Sequence, residues 1–533
     1  MTITSFGFLG FVLATLIIYR LFPVKKQWWV LLAASVAFYL SFSIGGIFVM
    51  IGTSLLTYFA GIMVQKQKDK HSAWLKENKK TTDKETRKAK KAFYQKRQKL
   101  IVAGTVAVTI GVLFICKYYG VLATRFNGLF NISLWTAENI LLPLGISYYS
   151  LQLIGYLVDV NRDIIPAERN PLKVILYGGF FLSIMQGPFN RYNDLMPQIC
   201  AEERKKLTYL DVKFAVLKIV GGYIKKLCIA DQVGIIANEV FTNYNNYSGL
   251  GILLGIACFA VQLYTDFSGY MDIIIGIGQL FGINMPENFK RPFFARSISE
   301  FWQKWHITLG LWLKDYVFYP LLKSSLFKKI GKGLTGKLGK EAGRRIPTYI
   351  GMFILWTLIG AWHGAGFNYV FGVGILQFLY IFLGEICDPL FVRTKKLLHI
   401  NDKKLYWHIF QSLRTTALMM FAWVFFNSKS FMQALRMIRN IFVVPRLGQI
   451  RTLLSSEAVN GNYIRNIIFI AVCIIAIIVV DLLHENQKSI RTIVCSKPYP
   501  IRLAFYLILA FTIIIFGAYG NQYVASNFIY FEF

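Results

Sequence analysis

The chain has 533 residues, 55% of them hydrophobic and only 16% charged, where soluble domains carry roughly 25% charged residues. Over such a length this deficit excludes a disordered, collagen-like or ordinary soluble protein. The net charge of +32 lies mostly between apolar runs, a pattern that points to cytoplasmic loops beside anionic lipid rather than to a nucleic-acid-binding face.

A bilayer core about 30 Å thick takes about 20 apolar residues per helix. In chain order, spans are predicted at 3–22, 28–43, 46–64, 100–123, 140–159, 174–189, 250–281, 347–363, 367–387, 409–426, 464–483 and 501–520. The expected fold is therefore all-α and polytopic, with roughly 11–12 spans, some of them re-entrant. Arg20, Lys25 and Lys26 follow the first apolar run instead of preceding it. No cleavable signal peptide is expected, and the N-terminus is placed outside. Residues 65–99 hold 14 Lys/Arg against 4 Asp/Glu and should face the cytoplasm. They divide the chain into N-terminal transmembrane helices (1–64), a basic cytoplasmic segment (65–99) and a membrane core (100–533). Stacking aromatics are sparse in the basic segment, so no nucleic-acid partner is expected; membrane lipid is.

Residues 208–240 interleave Phe214, Leu217, Ile224 and Leu227 with Lys213, Lys218, Lys225 and Lys226, as an interfacial amphipathic helix would. Ser297 and Glu300 form a capping-box pair that should start a helix near Ile298. The following stretch is too polar to face lipid. At 331–338, GKGLTGKL matches a phosphate-loop pattern, but Leu338 replaces the magnesium-binding hydroxyl and no strand precedes it. The segment reads as a flexible basic loop. Seven cysteines are scattered without a CxxC pair, so neither a disulfide framework nor a metal site is indicated.

An ionisable side chain at membrane depth is costly and marks a functional site by default. His306, in FWQKWHITL, is expected on a helix face with Trp302, Leu309 and Leu313. His363, in LIGAWHGAGF, shares a face with Trp356 and Gly360, and Gly360, Gly364 and Gly366 are expected to leave space around its ring. Each imidazole reads as a hydrogen-bonded structural group, a catalytic base or a metal or haem ligand. Asp266, Ser268, Tyr270 and Asp272 lie inside an apolar span. Asp266 and Tyr270 share a face, lining either a polar interior or a hydrogen-bond network between helices. Lys225, Lys226, Lys304 and Lys314 read as contacts to lipid headgroups or to the phosphates of a coenzyme. No GxSxG or HExxH motif occurs, which argues against a covalent acyl-enzyme.

Taken together, several segments resemble the membrane-bound O-acyltransferase (MBOAT) family, in its bacterial alginate and cell-wall O-acetyltransferase branch. They are LPLGISYYSLQLIGYLVDVNR (142–162), QGPFNRYNDLMPQI (186–199), IKKLCIAD (224–231), YTDFSGYMDIIIGIGQLFGINMPENFKRPF (264–293), SISEFWQKWHITLGLWLKDYVFYPL (297–321), GAWHGAGF (360–367) and FIYFEF (528–533). The resemblance implies a multi-helix funnel in a bacterial plasma membrane. It implies transfer of an acyl group, in the first place acetyl, from a cytoplasmic thioester donor such as acetyl-CoA. The acceptor would be an extracytoplasmic polysaccharide or cell-wall polymer, reached with an extracytoplasmic partner acetyltransferase. No cofactor would be held permanently. His363 would be the catalytic histidine and His306 the second functional one. Trp302, Trp305, Asp266, Ser268, Tyr270, Asp315 and Arg191 would contact substrate. D-alanyl transfer to teichoic acid from a carrier protein is the alternative chemistry on this fold, and a transporter without chemistry the alternative class. After DYVFYPL the chain continues Leu322, Lys323, Ser324, Ser325 where the alginate branch commonly has Gly-Gly-Asn-Arg. The acceptor is thus left open.

Overall fold

A computed structural model of the protein describes residues 2–130, 143–203, 206–364, 366–443, 453 and 463–518. Among these residues the regular structure is helical, with one isolated bridge between Phe289 and Trp305. Eight helices are long and apolar enough to cross a membrane, so the chain is an all-α polytopic membrane protein. The other four predicted spans, at 3–22, 28–43, 140–159 and 174–189, correspond to helices of 16, 14, 16 and 9 residues. At 1.5 Å per residue the longest of these reaches only about 24 Å. Hydropathy alone does not distinguish a span from a short apolar helix packed within the protein.

The chain divides into two compact units. The first comprises Met1–Val212 with Ile277–Pro286, the second Lys213–Gly276 with Glu287–Phe533. The first unit is built from α1 (Phe6–Leu21), α2 (Gln27–Leu40), α3 (Ile44–Asn78), α4 (Lys84–Phe130), α5 (Ile146–Asn161), α6 (Pro171–Gly179) and α7 (Tyr192–Ile199). The basic 65–99 segment is the end of α3 and the start of α4. Asp83 turns the chain between them by accepting hydrogen bonds from the Glu85 and Thr86 amides. At the head of α5, Gly145 has φ +66°, and a Cβ there would stand 1.7 Å from the Ile184 carbonyl oxygen. Only glycine satisfies both constraints. Tyrosine hydroxyls tie the interior of this unit together. The Tyr177 hydroxyl donates to the Asn190 carbonyl at 2.7 Å, and Tyr192 donates to Glu168 at 2.8 Å. The rings of Tyr156, Tyr177 and Tyr192 pack together.

The second unit contains most of α8 (Tyr209–Tyr223), then α9 (Asp231–Thr242), most of α10 (Leu250–Leu280), α11 (Ile298–Lys304), α12 (Ile307–Leu313), α13 (Tyr319–Lys323) and α14 (Ser325–His363). It continues with α15 (Phe367–Tyr369), α16 (Leu376–Ile386), α17 (Asp388–Leu397), α18 (Leu405–Asn427), α19 (Phe431–Ile441) and two long helices, Tyr463–Glu485 and Tyr499–Phe516. Among the described residues three π turns interrupt it, at Ile224–Ala230, Lys314–Phe318 and Val370–Ile375. Residues 331–338 are helical, which corrects the expected loop. The break in α14 falls at Gly339, whose φ +89°, ψ 169° suits glycine. The chain folds back there, because a Cβ on Gly343 would lie 1.9 Å from Thr335 Oγ1 and one on Gly331 3.0 Å from the Gly343 carbonyl. The glycines that made the segment look flexible form the close crossing of a helical hairpin. The FIYFEF segment (528–533) lies outside the described residues.

Candidate active site

His363 ends α14 and is buried, with 4% of its surface exposed. The face carrying Trp356, Gly360 and His363 packs on the π turn Val370–Ile375. A Cβ on Gly360 would come within 2.7 Å of Val370 Cα, and one on Gly374 within 2.7 Å of the Trp356 carbonyl oxygen. Beyond the histidine, a Cβ on Gly364 would meet the Tyr369 ring at 2.5 Å. The space expected around these glycines is therefore occupied: they admit neighbouring backbone and the Tyr369 ring. The imidazole stands edge-on to Trp362 at 4.8 Å and to Phe426 at 5.6 Å.

His306 does not lie within a helix, contrary to the expectation from its sequence. α11 begins as its capping box dictates: Ser297 Oγ accepts from the Glu300 amide at 3.1 Å, and Glu300 accepts from the Arg296 amide at 2.8 Å. It ends at Trp305, which turns extended and bridges to Phe289. His306 then adopts φ +47°, ψ +50° before α12. This left-handed conformation is uncommon for a residue with a side chain, although histidine is enriched in it. Two further contacts fix the break, from the Ile307 amide to the Asn288 carbonyl and from the Thr308 hydroxyl to Asn288 Oδ1 at 2.6 Å. The His306 ring is 3% exposed and edge-on to Phe267 at 4.9 Å. Burial pushes its pKa down from 6.5 to about 3, so the ring is neutral at physiological pH. Trp362 is shared by both histidines, its ring centroid lying 6.5 Å from His306 and 4.8 Å from His363.

Asp266 faces a cation. Lys226, 1% exposed on the π turn Ile224–Ala230, reaches Asp266 at 2.7 Å and Asp231 at 2.8 Å. Burial alone would lower the Lys226 ammonium, but the two carboxylates outweigh it and hold its pKa above the ordinary value. Lys225 pairs with Asp272 at 2.6 Å, and Lys304 with Glu300 at 2.8 Å. Three of the four lysines read as lipid or coenzyme contacts therefore have carboxylate partners within the unit.

The other expected site residues fall into distinct places. Trp302 donates its indole N–H to Gln377 at 3.1 Å and packs on Trp356, while Trp305 stacks on Phe301. Trp302, Trp305, His306 and His363 thus belong to one aromatic assembly around the π turn Val370–Ile375 and α18. Tyr270 is fully buried on α10, whereas Ser268 lines a separate cavity described below. Asp315 lies half-buried in the π turn Lys314–Phe318. Arg191 is the N-cap residue of α7 in the first unit. Sequence reasoning did not assign Trp362, Asn288, Gln377 or the Lys226–Asp231 contact to the site. Only the last left a signal, a lysine five residues before an aspartate beside an apolar run.

Residues 37–335 match MBOAT, the membrane-bound O-acyltransferase family. A probable alginate O-acetylase of Pseudomonas syringae pv. tomato is 32% identical over 306 residues, covering 57% of this chain and 52% of that protein. A peptidoglycan O-acetyltransferase of Helicobacter pylori is 28% identical over 511 residues, covering 89% of this chain and 86% of the relative. A teichoic acid D-alanyltransferase of Bacillus subtilis is 32% identical over 240 residues, 44% of this chain and 56% of that protein. The chain spans about half the length of the Pseudomonas alginate O-acetylase it matches. The family match ends before residue 363, but the Helicobacter match covers too much of the chain to exclude that position. The family match takes in more than half of the 533 residues, including His306 and the Lys226–Asp266 pair, and the chain belongs to the membrane-bound O-acyltransferase family.

Proposed function

We propose that the protein is an O-acyltransferase that moves an acyl group, acetyl in the first place, from a cytoplasmic thioester such as acetyl-CoA across the membrane. The acceptor hydroxyls belong to an extracytoplasmic polysaccharide or cell-wall polymer, reached with an extracytoplasmic acetyltransferase partner. The protein works in a bacterial plasma membrane with its N-terminus outside, as its basic segments favour. What supports this reading, beyond family membership, is one observation: two buried imidazoles flank the same indole, Trp362.

The chemistry needs a base. An unprotonated nitrogen of His363 takes the hydroxyl proton as the hydroxyl oxygen attacks the thioester carbonyl. The C–S bond then breaks, the ester forms, and the proton returns to the departing thiolate. General base catalysis of this kind contributes about 10²–10⁴-fold. His306, kept neutral by burial, acts by hydrogen bonding and not as a fixed cation. Trp302, already donating to Gln377, positions the assembly. The test is His363→Ala, with base-labile acetate on the cell-wall polymer as the readout. The variant should insert normally and lose about a hundredfold or more of its transfer rate. Near-normal acetylation would overturn the assignment.

A second reading is D-alanyl transfer, favoured by the match to the Bacillus subtilis D-alanyltransferase. Mass spectrometry of the polymer from a deletion strain separates the two, by loss of ester-linked acetate or of D-alanine.

A further inference from the structure

The second unit holds a cavity of about 910 Å³, within the ~300–1,000 Å³ range of small-molecule sites. Neither His306 nor His363 lines it. Its walls are one face each of α8 with its following π turn, α10, Tyr463–Glu485 and Tyr499–Phe516. Few residues of Ile468–Glu485 and none of Tyr499–Phe516 are fully buried. The lining is graded. Along Tyr463–Glu485 it runs from Phe469 through Val472 and Ile477 to Asp481 and His484, about 22 Å of helix. Five cations and three carboxylates line the cavity. Lys225 is paired with Asp272, Lys218 with Glu287 and Arg291 with Glu485. Asp481 accepts from the Tyr264 hydroxyl at 3.3 Å. Lys290 and Arg491 have no carboxylate partner among the described residues; Arg491 meets Phe214, at its carbonyl and over its ring, and its charge is felt at His484. Ser268, 3% exposed, also lines the cavity, and its hydroxyl has no hydrogen-bond partner among the described residues.

An apolar chamber with surplus positive charge and an unengaged hydroxyl matches one ligand chemistry, a long apolar chain carrying a phosphate. The geometry points to this cavity as a binding site for an anionic phosphate lipid, one that neither His306 nor His363 lines. Arg491 contacts the phosphate, and the walls from Ile229 to Leu509 take the chain. Asn288 and Phe289, which fix the break at His306, also line the cavity, so its occupant braces the segment carrying that residue.

The test uses full-length protein purified in detergent and radiolabelled phosphatidylglycerol, with phosphatidylcholine and a polyprenyl phosphate as competitors. Phosphatidylglycerol should be retained and resist phosphatidylcholine. Displacement by trace polyprenyl phosphate identifies a carrier lipid as the natural occupant, and resistance to it a bilayer phospholipid. Arg491→Gln should weaken retention about tenfold, the scale of a lost hydrogen bond to a charged group. Gly221→Phe supplies the second variant. Gly221 lines the cavity and an added Cβ there meets nothing within 4 Å, so the side chain starts in open space and its ring takes up part of the chamber. It should weaken retention while helix content and elution volume stay unchanged. Equal retention of both phospholipids with Arg491→Gln unaffected, or full retention by folded Gly221→Phe, overturns the proposal.

Discussion

Both units bury polar side chains, but they satisfy them differently. In the first, buried tyrosine hydroxyls donate to the Asn190 carbonyl and the Glu168 carboxylate, and the ion pairs, Lys25–Glu202 and Lys68–Asp163, each expose a carboxylate to solvent. In the second, a lysine sits between two aspartates with almost no exposure, a histidine adopts a left-handed backbone, and all three π turns of the described residues occur. π turns and strained backbone concentrate at functional sites, because they persist only where the surroundings over-determine them. The contrast separates a unit held mainly by packing from one with a buried ion triad, and the buried imidazoles of His306 and His363 lie in the latter.

The strongest way to break this contrast is Lys226→Met. It removes the ammonium that bridges Asp266 and Asp231, and removing one partner of a buried pair costs about 3–5 kcal/mol. Thermal unfolding should fall accordingly, and the triple variant with Asp231→Asn and Asp266→Leu should recover most of the loss. A single variant as stable as the wild type would mean that water reaches the pair.

Next is Gly145→Ala in the first unit. Strain at positive φ together with the collision at Ile184 should cost at least about 2 kcal/mol, although no charge changes. An unchanged melting temperature would show that the α5 entry shifts freely.

The smallest effect concerns pH. Burial lowers the pKa of His306 from 6.5 to about 3, so its share of stability is complete above 6.5 and is lost as the pH falls from there toward 3. Asparagine tolerates the left-handed backbone, so His306→Asn should melt less differently between about pH 7.5 and about pH 5 than the wild type. Equal acid sensitivity would remove His306 as the source.

The long apolar runs were legible because insertion in lipid demands length and hydropathy, and α10 falls within one residue of its predicted end. The helix start at Ile298 was legible because a capping box is local chemistry. What failed was set by distant partners. Nothing in WQKWHITL announces a break, because the residues that hold it, Asn288 and Phe289, come from the preceding segment. Lys226 looked like a surface cation until Asp266, 40 residues away in sequence, was placed beside it. The glycines around His363 and in the basic hairpin signalled close approach of backbone, a meaning that composition alone does not separate from open space or flexibility.

The helix that follows Gly339 has a further consequence. Arg344 and Arg345 stand at its start and His363 at its end. Eighteen residues at 1.5 Å each put about 27 Å between Arg345 and the imidazole, close to the ~30 Å of hydrocarbon in a bilayer. That length makes the helix a measuring rod between the arginines and the buried imidazole. It sets how far the ring stands from them, and inserting or deleting one turn would move the ring by about 5.4 Å along the helix axis.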